Sequence, residues 1–343
     1  MVLAAGAVTR AGAQVDFPGP LAVDLFGEAL SSVAMPLEQG DPAYLVNGTG
    51  SGVVSLHSLN ATGTGFRQIS QFLVGGRIVH LIPWEGRTLA NQGIVAATAN
   101  PDRLVFLAVA PEPPYFTIED EVLLEEDPGT ATFIGDLLAD VPEVAVSLPG
   151  IDRVAFLKQE GGSWFVDQVQ DTGDGPYSIL GVDLDGDRMR ELVTANGGYL
   201  AESLGVFRRD GTGDYVGTQV DFAAGRPTRL AAWDFDDDGR SELAATVGDS
   251  PQVVFLRDVV GALEVYDTVD LTLPADSVHL DRLFDGTVGL FTGNGARGLV
   301  DFLQFEQGGW TRRNSYYPGC HPLATTSADF NGDGADYLVS VGG

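Results

Sequence analysis

From Thr228 onward the chain passes through four short segments, "TRLAAWDF", "SELAATVG", "QVVFLRDV" and "LEVYDTVDL", separated by an acidic loop, "DSP" and "VGA". The first three are almost continuously apolar and the last alternates apolar with polar. Runs of this length, rich in β-branched and aromatic residues and punctuated by Gly, Asp and Pro, predict strands joined by tight turns. The expected unit is a four-stranded antiparallel meander. No segment holds a helical period over twelve residues, although "LAVDLFGEALSSV" allows a short helical turn.

The same pattern recurs. Its anchors fall at residues 37, 85, 136, 183, 234, 285 and 329, spaced 44 to 51 residues apart. Four-stranded units of that length are the blades of a β-propeller. Residues 1–343 are therefore expected to form one all-β domain, a seven-bladed β-propeller of four-stranded antiparallel blades. The last unit has only two strands of its own, "ATTSADF" and "DYLVSVGG". Residues 1–20 are expected to supply the other two and close the ring.

Three of the anchors carry carboxylates at alternate positions: "DLDGDRMREL" from Asp183, "DFDDDGRSEL" from Asp234 and "DFNGDGADYL" from Asp329. Two such charges roughly 4 Å apart repel by about 4 kcal/mol at an effective dielectric near 20, so a cation or full solvation must relieve them. Hard cations such as Ca²⁺ take six to eight oxygens from this kind of array. In the second loop the donors are Asp234, Asp236 and Asp238, the Arg240 carbonyl and Glu242, with Gly239 at the sharp turn. In the first they are Asp183, Asp185, Asp187, the Met189 carbonyl and Glu191, with Arg188 in place of the glycine. The third offers Asp329, Asn331, Asp333, the Ala335 carbonyl and Asp336, and is the weakest of the set. Two or three Ca²⁺ sites are expected. An EF-hand is excluded, because it needs an acidic residue at position 12 and flanking helices, whereas that position is Thr194, Ala245 or Ser340 and the flanks read as strands.

The repeated D-[FL]-[DN]-x-D-G-x-x-[DE]-[LV] pattern, at blade spacing and between strands, resembles the FG-GAP repeats of integrin α-subunit heads and their bacterial VCBS-type relatives. "FGEALSSVAMPLEQGDPAYLVNG", from Phe26 to Gly48, keeps the Phe-Gly start of that repeat without its ligands. The resemblance implies that the calcium loops join the first two strands of a blade, that calcium there is structural, and that partners meet the opposite face. His80, His279 and His321 fall at first strands of different units, with Tyr177, Tyr199 and Arg229 nearby. They form a candidate ligand rim: imidazole exchanges a proton near neutral pH and Arg holds a carboxylate. The competing role for these residues is that of capping or solvated loop positions.

Composition narrows the function. A net charge of -29 disfavours nucleic acid and anionic membranes as partners. Cys320 is the single cysteine, so no intrachain disulfide forms and Cys-based zinc is unsupported. No apolar run approaches the ~18 residues of a membrane span. The start, "MVLAAGAVTRAGAQVDF", is interrupted by Arg10 and lacks a basic lead, and is read as a mature form without its export signal. No nucleophile elbow, phosphate loop, H-E-x-x-H or dinucleotide fingerprint appears. The expected function is an extracellular or cell-surface binding or adhesion module for a protein or carbohydrate ligand, with further domains of a longer chain as other partners. The alternatives are a polysaccharide lyase or hydrolase on the same ring, and a purely structural domain.

Overall fold

The computed structural model describes residues 2–342 apart from 8, 11–14, 17–20, 25–28, 38–41, 61–64, 85–91, 137–142, 200–201, 283–286, 307, 318–321 and 333–336; before residue 29 it describes backbone pairing alone. The described residues form strands and one short 3-10 turn, Pro149–Ile151. The helical turn allowed for residues 21–33 is replaced by the strands Leu21–Asp24 and Ala29–Met35. Ser31, Ser32 and Val33 are buried against neighbouring strands, and this packing overrides local propensity.

Each unit runs from an inner strand outward. In the 77–123 unit the order is Arg77–Trp84, Gly93–Ala99, Arg103–Val109 and Phe116–Leu123, all antiparallel. The second strand is buried along its whole length, as are Glu143–Leu148 and Glu242–Val247, because neighbouring sheets cover both of its faces. The outermost strand is mostly exposed, with Phe116 and Val122 as its buried positions, which explains why this segment of the unit carries more polar residues than the other three. The inner strands follow one another round a central channel, Ala29–Met35 packing against Arg77–Trp84 on one side and Pro322–Ala328 on the other.

A recurring aromatic stack joins one unit to the next. Trp164 lies on Phe106 with centroids 4.3 Å apart, Tyr215 on Phe156 at 4.5 Å and Trp310 on Phe255 at 4.7 Å. In each case the first or second residue of an outer strand covers a Phe from the third strand of the preceding unit. Such pairs add about 0.5–1.5 kcal/mol beyond their buried area.

The expected count of seven blades is corrected: among the described residues hydrogen bonding divides the β-propeller into six blades, five four-stranded sheets and one of eight strands, apart from one two-stranded pairing. The eight-stranded sheet spans Ala131 to Asp221. It arises where Gly135 pairs with Arg190 and Asp136 with Met189. Gly181 makes this possible, since a Cβ there would stand 2.0 Å from the Phe133 carbonyl oxygen. Its N–H also donates to Thr132 Oγ1 at 3.0 Å. Without a side chain at residue 181 the two inner strands approach closely enough for the sheets to merge.

One sheet unites the two ends of the sequence, in the order Pro322–Ala328, Tyr337–Gly342, Val2–Ala7 and Leu21–Asp24. Its fourth strand begins just past residue 20, the expected limit of the N-terminal contribution, and Thr9–Arg10 pairs with Val15–Asp16 as a small hairpin between the two. Of the repeat anchors, Asp183, Asp234 and Asp329 directly follow inner strands; Glu85 and Asp285 lie outside the described residues.

Replacing Gly181 with Ala is expected to destabilise the protein by about 1–3 kcal/mol through overpacking against the Phe133 carbonyl. Urea unfolding checks this, with Gly211→Ala, where an added Cβ meets nothing within 4 Å, as the neutral control.

Candidate metal centres and ligand rim

The loops at Asp183 and Asp234 each connect an inner strand to the second strand of its unit, and they are built alike. The apolar second residue anchors each loop: Leu184 and Phe235 are buried. Their N–H groups donate to carboxylates near the start of the next strand, Leu184 to Glu191 Oε2 at 2.8 Å and Phe235 to Glu242 Oε2 at 2.9 Å. The first aspartate then gathers the turn. Asp183 Oδ1 and Oδ2 accept from Gly186 and Arg188, and Asp234 Oδ1 and Oδ2 from Asp238 and Gly239.

Both loops place positions 4 and 6 in the left-handed region. In the first these are Gly186 (φ 81°) and Arg188 (φ 72°), in the second Asp237 (φ 58°) and Gly239 (φ 90°). Each loop thus spends one glycine on two left-handed positions, and Gly186 does not spare Arg188 its conformation. A non-glycine residue there is strained.

Within each loop the structure groups three carboxylates, Asp183 with Asp185 and Glu191, and Asp234 with Asp236 and Glu242; one oxygen from each lies within 4.8 Å of the others. Oxygens about 2.3–2.6 Å from a shared cation are separated by this much at most. The donors are all hard oxygens, so the residues fit a Ca²⁺-like ion. Asp187 and Asp238 stand outside these groups, their Oδ1 atoms accepting from Met189 N–H at 2.7 Å and Arg240 N–H at 2.8 Å. Met189 opens its strand opposite Asp136, and Arg240 lies beside Gly186 of the neighbouring loop. In the third loop Asp329 Oδ1 accepts from Asn331 and Gly332, and Phe330 is the buried anchor; Asp333, Ala335 and Asp336 lie outside the described residues.

Burial pushes Glu191 and Glu242 up to about 7 and raises Asp185 as well. Desolvation penalises their charged forms, and a bound cation reverses that penalty. The loops also touch each other. Ser241 N–H donates to the Asp183 carbonyl at 2.9 Å, and Ala43 N–H to the Asp329 carbonyl at 2.8 Å.

The predicted rim residues divide into three places. His80 Nδ1 accepts the Ala131 N–H at 3.1 Å, tying one inner strand to the next. Ser31 does the same for Leu81, Thr130 for Ile179 and Ser178 for Leu230. His80 therefore acts as an inter-unit cap, and burial, with Arg229 adding to it, lowers its pKa to about 4. Tyr177 and Tyr199 are exposed at the mouth opposite the acidic loops, where Arg226 lies 5.9 Å over the Tyr199 ring and pairs with Asp249. His279 stands apart from them. Its Nε2 is 2.7 Å from Ser327 Oγ, which also bonds Asp281. Burial depresses His279, and Asp281 opposes that shift. His321 lies outside the described residues.

Sequence reasoning missed Ser327, whose partners His279 and Asp281 come from a different unit, and the Arg226–Asp249 pair, which joins the turns flanking the first two strands of one unit. It also missed Glu143. That carboxylate lies near the start of a second strand as Glu191 and Glu242 do, is buried, and meets Arg209 and, at 3.3 Å, the Tyr215 hydroxyl. Here a guanidinium takes the place of a loop cation.

No protein-family model matches the chain, and no curated protein matches it. Solved structures do. The periplasmic gluconolactonase of Pseudomonas aeruginosa aligns with TM-score 0.66 and 14% identity over 92% of this chain and 96% of that one. A functionally unknown protein from Desulfotomaculum acetoxidans gives 0.64 and 12% over 93% and 99%. BBS1N, solved in complex with ARL6DN, gives 0.64 and 11% over 92% and 93%. At these identities the likeness is one of fold. The chain is a β-propeller.

Histidine protonation is expected to erode stability in acid. The folded pKa of His80 lies below its unfolded value of 6.5, so its contribution is complete above pH 6.5 and is lost as pH falls towards 4. Buried His57, beside Ser55 Oγ, behaves the same way. Glu191 and Glu242 act oppositely, favouring the fold at low pH and losing that contribution as pH rises from 4.5 to about 7. His80→Asn keeps an acceptor for Ala131 without titrating. Its unfolding free energy should fall less than that of wild type between pH 6.5 and 5, by about 1–2 kcal/mol, as read from urea titrations at both pH values.

Proposed function

We propose that this chain is a calcium-stapled, integrin-like β-propeller of the FG-GAP/VCBS type, working outside the cell as a binding or adhesion module. It presents the face opposite its acidic loops to a protein or carbohydrate ligand. The observation that carries this reading is the matched pair of loops, each grouping two aspartates and a buried glutamate around a site of hard oxygen donors. Residues of the loops hold the ion: Asp183, Asp185 and Glu191 in one, Asp234, Asp236 and Glu242 in the other. The ion supplies compensating charge that lets Glu191 and Glu242 stay ionised where they are buried. Since both carboxylates also pin the N–H after the first aspartate, cation binding fastens the inner hairpin of each unit. Nothing in this arrangement activates a water or a substrate, so calcium serves the fold.

An enzymatic reading draws support from the fold shared with the periplasmic gluconolactonase and from the Ser327–His279–Asp281 cluster. Ser327 bridges the other two directly, and Asp281 Oδ2 lies 4.0 Å from the same Nε2 that meets Ser327. In a nucleophilic triad the carboxylate holds the opposite ring nitrogen. The cluster is better suited to clamping two inner strands. Hydrolysis of D-glucono-1,5-lactone above background, abolished by His279→Ala, would favour the enzyme.

Thermal unfolding with excess calcium and with EGTA tests the main reading. Free ligand at 100 times Kd adds about 2.7 kcal/mol per site, so calcium should raise the melting temperature by about 5 °C or more. Asp236→Ala should roughly halve the rise. A melting temperature indifferent to calcium in wild type would refute the metal sites.

A further inference from the structure

Arg229 is the third residue of the inner strand Pro227–Trp233, near the mouth opposite the acidic loops. It is only partly exposed, and its Nη1 donates to the Thr228 carbonyl at 2.8 Å. No described carboxylate forms an ion pair with it. Arg103, Arg153, Arg208, Arg209 and Arg226 are also only partly exposed, and each meets a carboxylate. In a chain with 48 acidic and 19 basic residues, an arginine is not left unpaired for want of carboxylates. Holding a guanidinium in a partly desolvated place without a counter-charge costs stability.

Its surroundings are those of a receptor for one negative charge. Asp276 acts on Arg229 electrostatically from a distance without forming an ion pair with it, and its Oδ2 accepts from the Gly295 N–H at 2.8 Å. His80, on an inner strand of another sheet, is also within electrostatic reach. With its Nδ1 accepting from Ala131, its neutral ring keeps Nε2 as a donor. Tyr177 begins the neighbouring inner strand two residues before Ile179, and Tyr199 follows in the next connection of that unit; both rings are exposed. The second arginine at this mouth, Arg226, is already neutralised through bonds of 2.6 and 2.5 Å to Asp249.

We propose that Arg229 binds the carboxylate of a sugar acid at this mouth, while Tyr177 and Tyr199 offer their faces to the sugar ring. The inference rests on the binding-module reading and names its ligand class. A guanidinium fork matches a carboxylate in two parallel hydrogen bonds. A single unpaired positive charge suits a monoanion and is insufficient for a phosphate dianion. Tyrosine supplies a flat surface, apolar in body and polar at its tip, at low entropic cost.

Calorimetric titration with galacturonic acid and with its methyl ester tests the proposal. Wild type should bind the free acid, with the ester weaker by about tenfold or more, the value of one charge-assisted contact. Arg229→Gln should lose the same factor for the acid and should melt at or above the wild-type temperature, since an uncompensated charge has been removed. Arg229→Lys keeps the charge without the fork and should fold and bind at an intermediate affinity. Equal binding of acid and ester, binding of neither, or undiminished binding by Arg229→Gln would each overturn the proposal. So would a large loss of stability in both variants, which would make Arg229 structural. The calcium response, measured on the same samples, reports separately on the reading beneath it.

Discussion

Second strands such as Gly93–Ala99, Glu143–Leu148 and Glu242–Val247 are buried on both faces, and that constraint generates the ring. A sheet with one apolar face is satisfied by a single partner. A sheet whose second strand is buried throughout, as in Gly93–Ala99 or Glu242–Val247, needs a neighbour on each side, and so does that neighbour. Only closure ends the series. The Phe106–Trp164, Phe156–Tyr215 and Phe255–Trp310 stacks are the repeated expression of this demand, and the sheet shared by residues 2–24 and 322–342 is its resolution. Where the strands approach more closely than usual, at Gly181, two sheets become one.

Closure fixes where charge is tolerated. The turns between inner and second strands lie at one end of the sheets, and the Asp183 and Asp329 carbonyls accept hydrogen bonds from the next unit, which ties those two turns to their neighbours. Glu143, Glu191 and Glu242 show two ways of keeping a buried carboxylate at the same place in a unit. Arg209 neutralises the first, while the other two face aspartates that add to the negative charge. The proposed cation is the counterpart of Arg209 in those units. On the opposite face the logic is inverted, because Arg229 supplies a positive charge that no described carboxylate pairs with directly.

The strands, their meander order, the repeat and the acidic loops were all legible in the sequence, because each depends on residues close together along the chain. Period two, Gly and Pro at turns, and carboxylates at alternate positions are local facts. Within the loops the structure adds a detail that spacing does not carry: Asp187 and Asp238 cap backbone N–H groups and stand outside the three grouped carboxylates. Alternation along a sequence fixes spacing, whereas the direction of each carboxylate depends on which N–H it satisfies.

The sequence by itself therefore determined an all-β chain of repeated four-stranded units with paired acidic turns, because strand propensity and turn chemistry act over a few residues. Tertiary structure decided the number of hydrogen-bonded sheets, since the pairing of Gly135 and Asp136 with Arg190 and Met189 rests on the missing Cβ of Gly181. It also decided the roles of the histidines. His80 became a cap and His279 part of a clamp because their partners, Ala131 and Ser327, lie some fifty residues away. No local rule links such residues, and only the closed ring brings them within hydrogen-bonding distance.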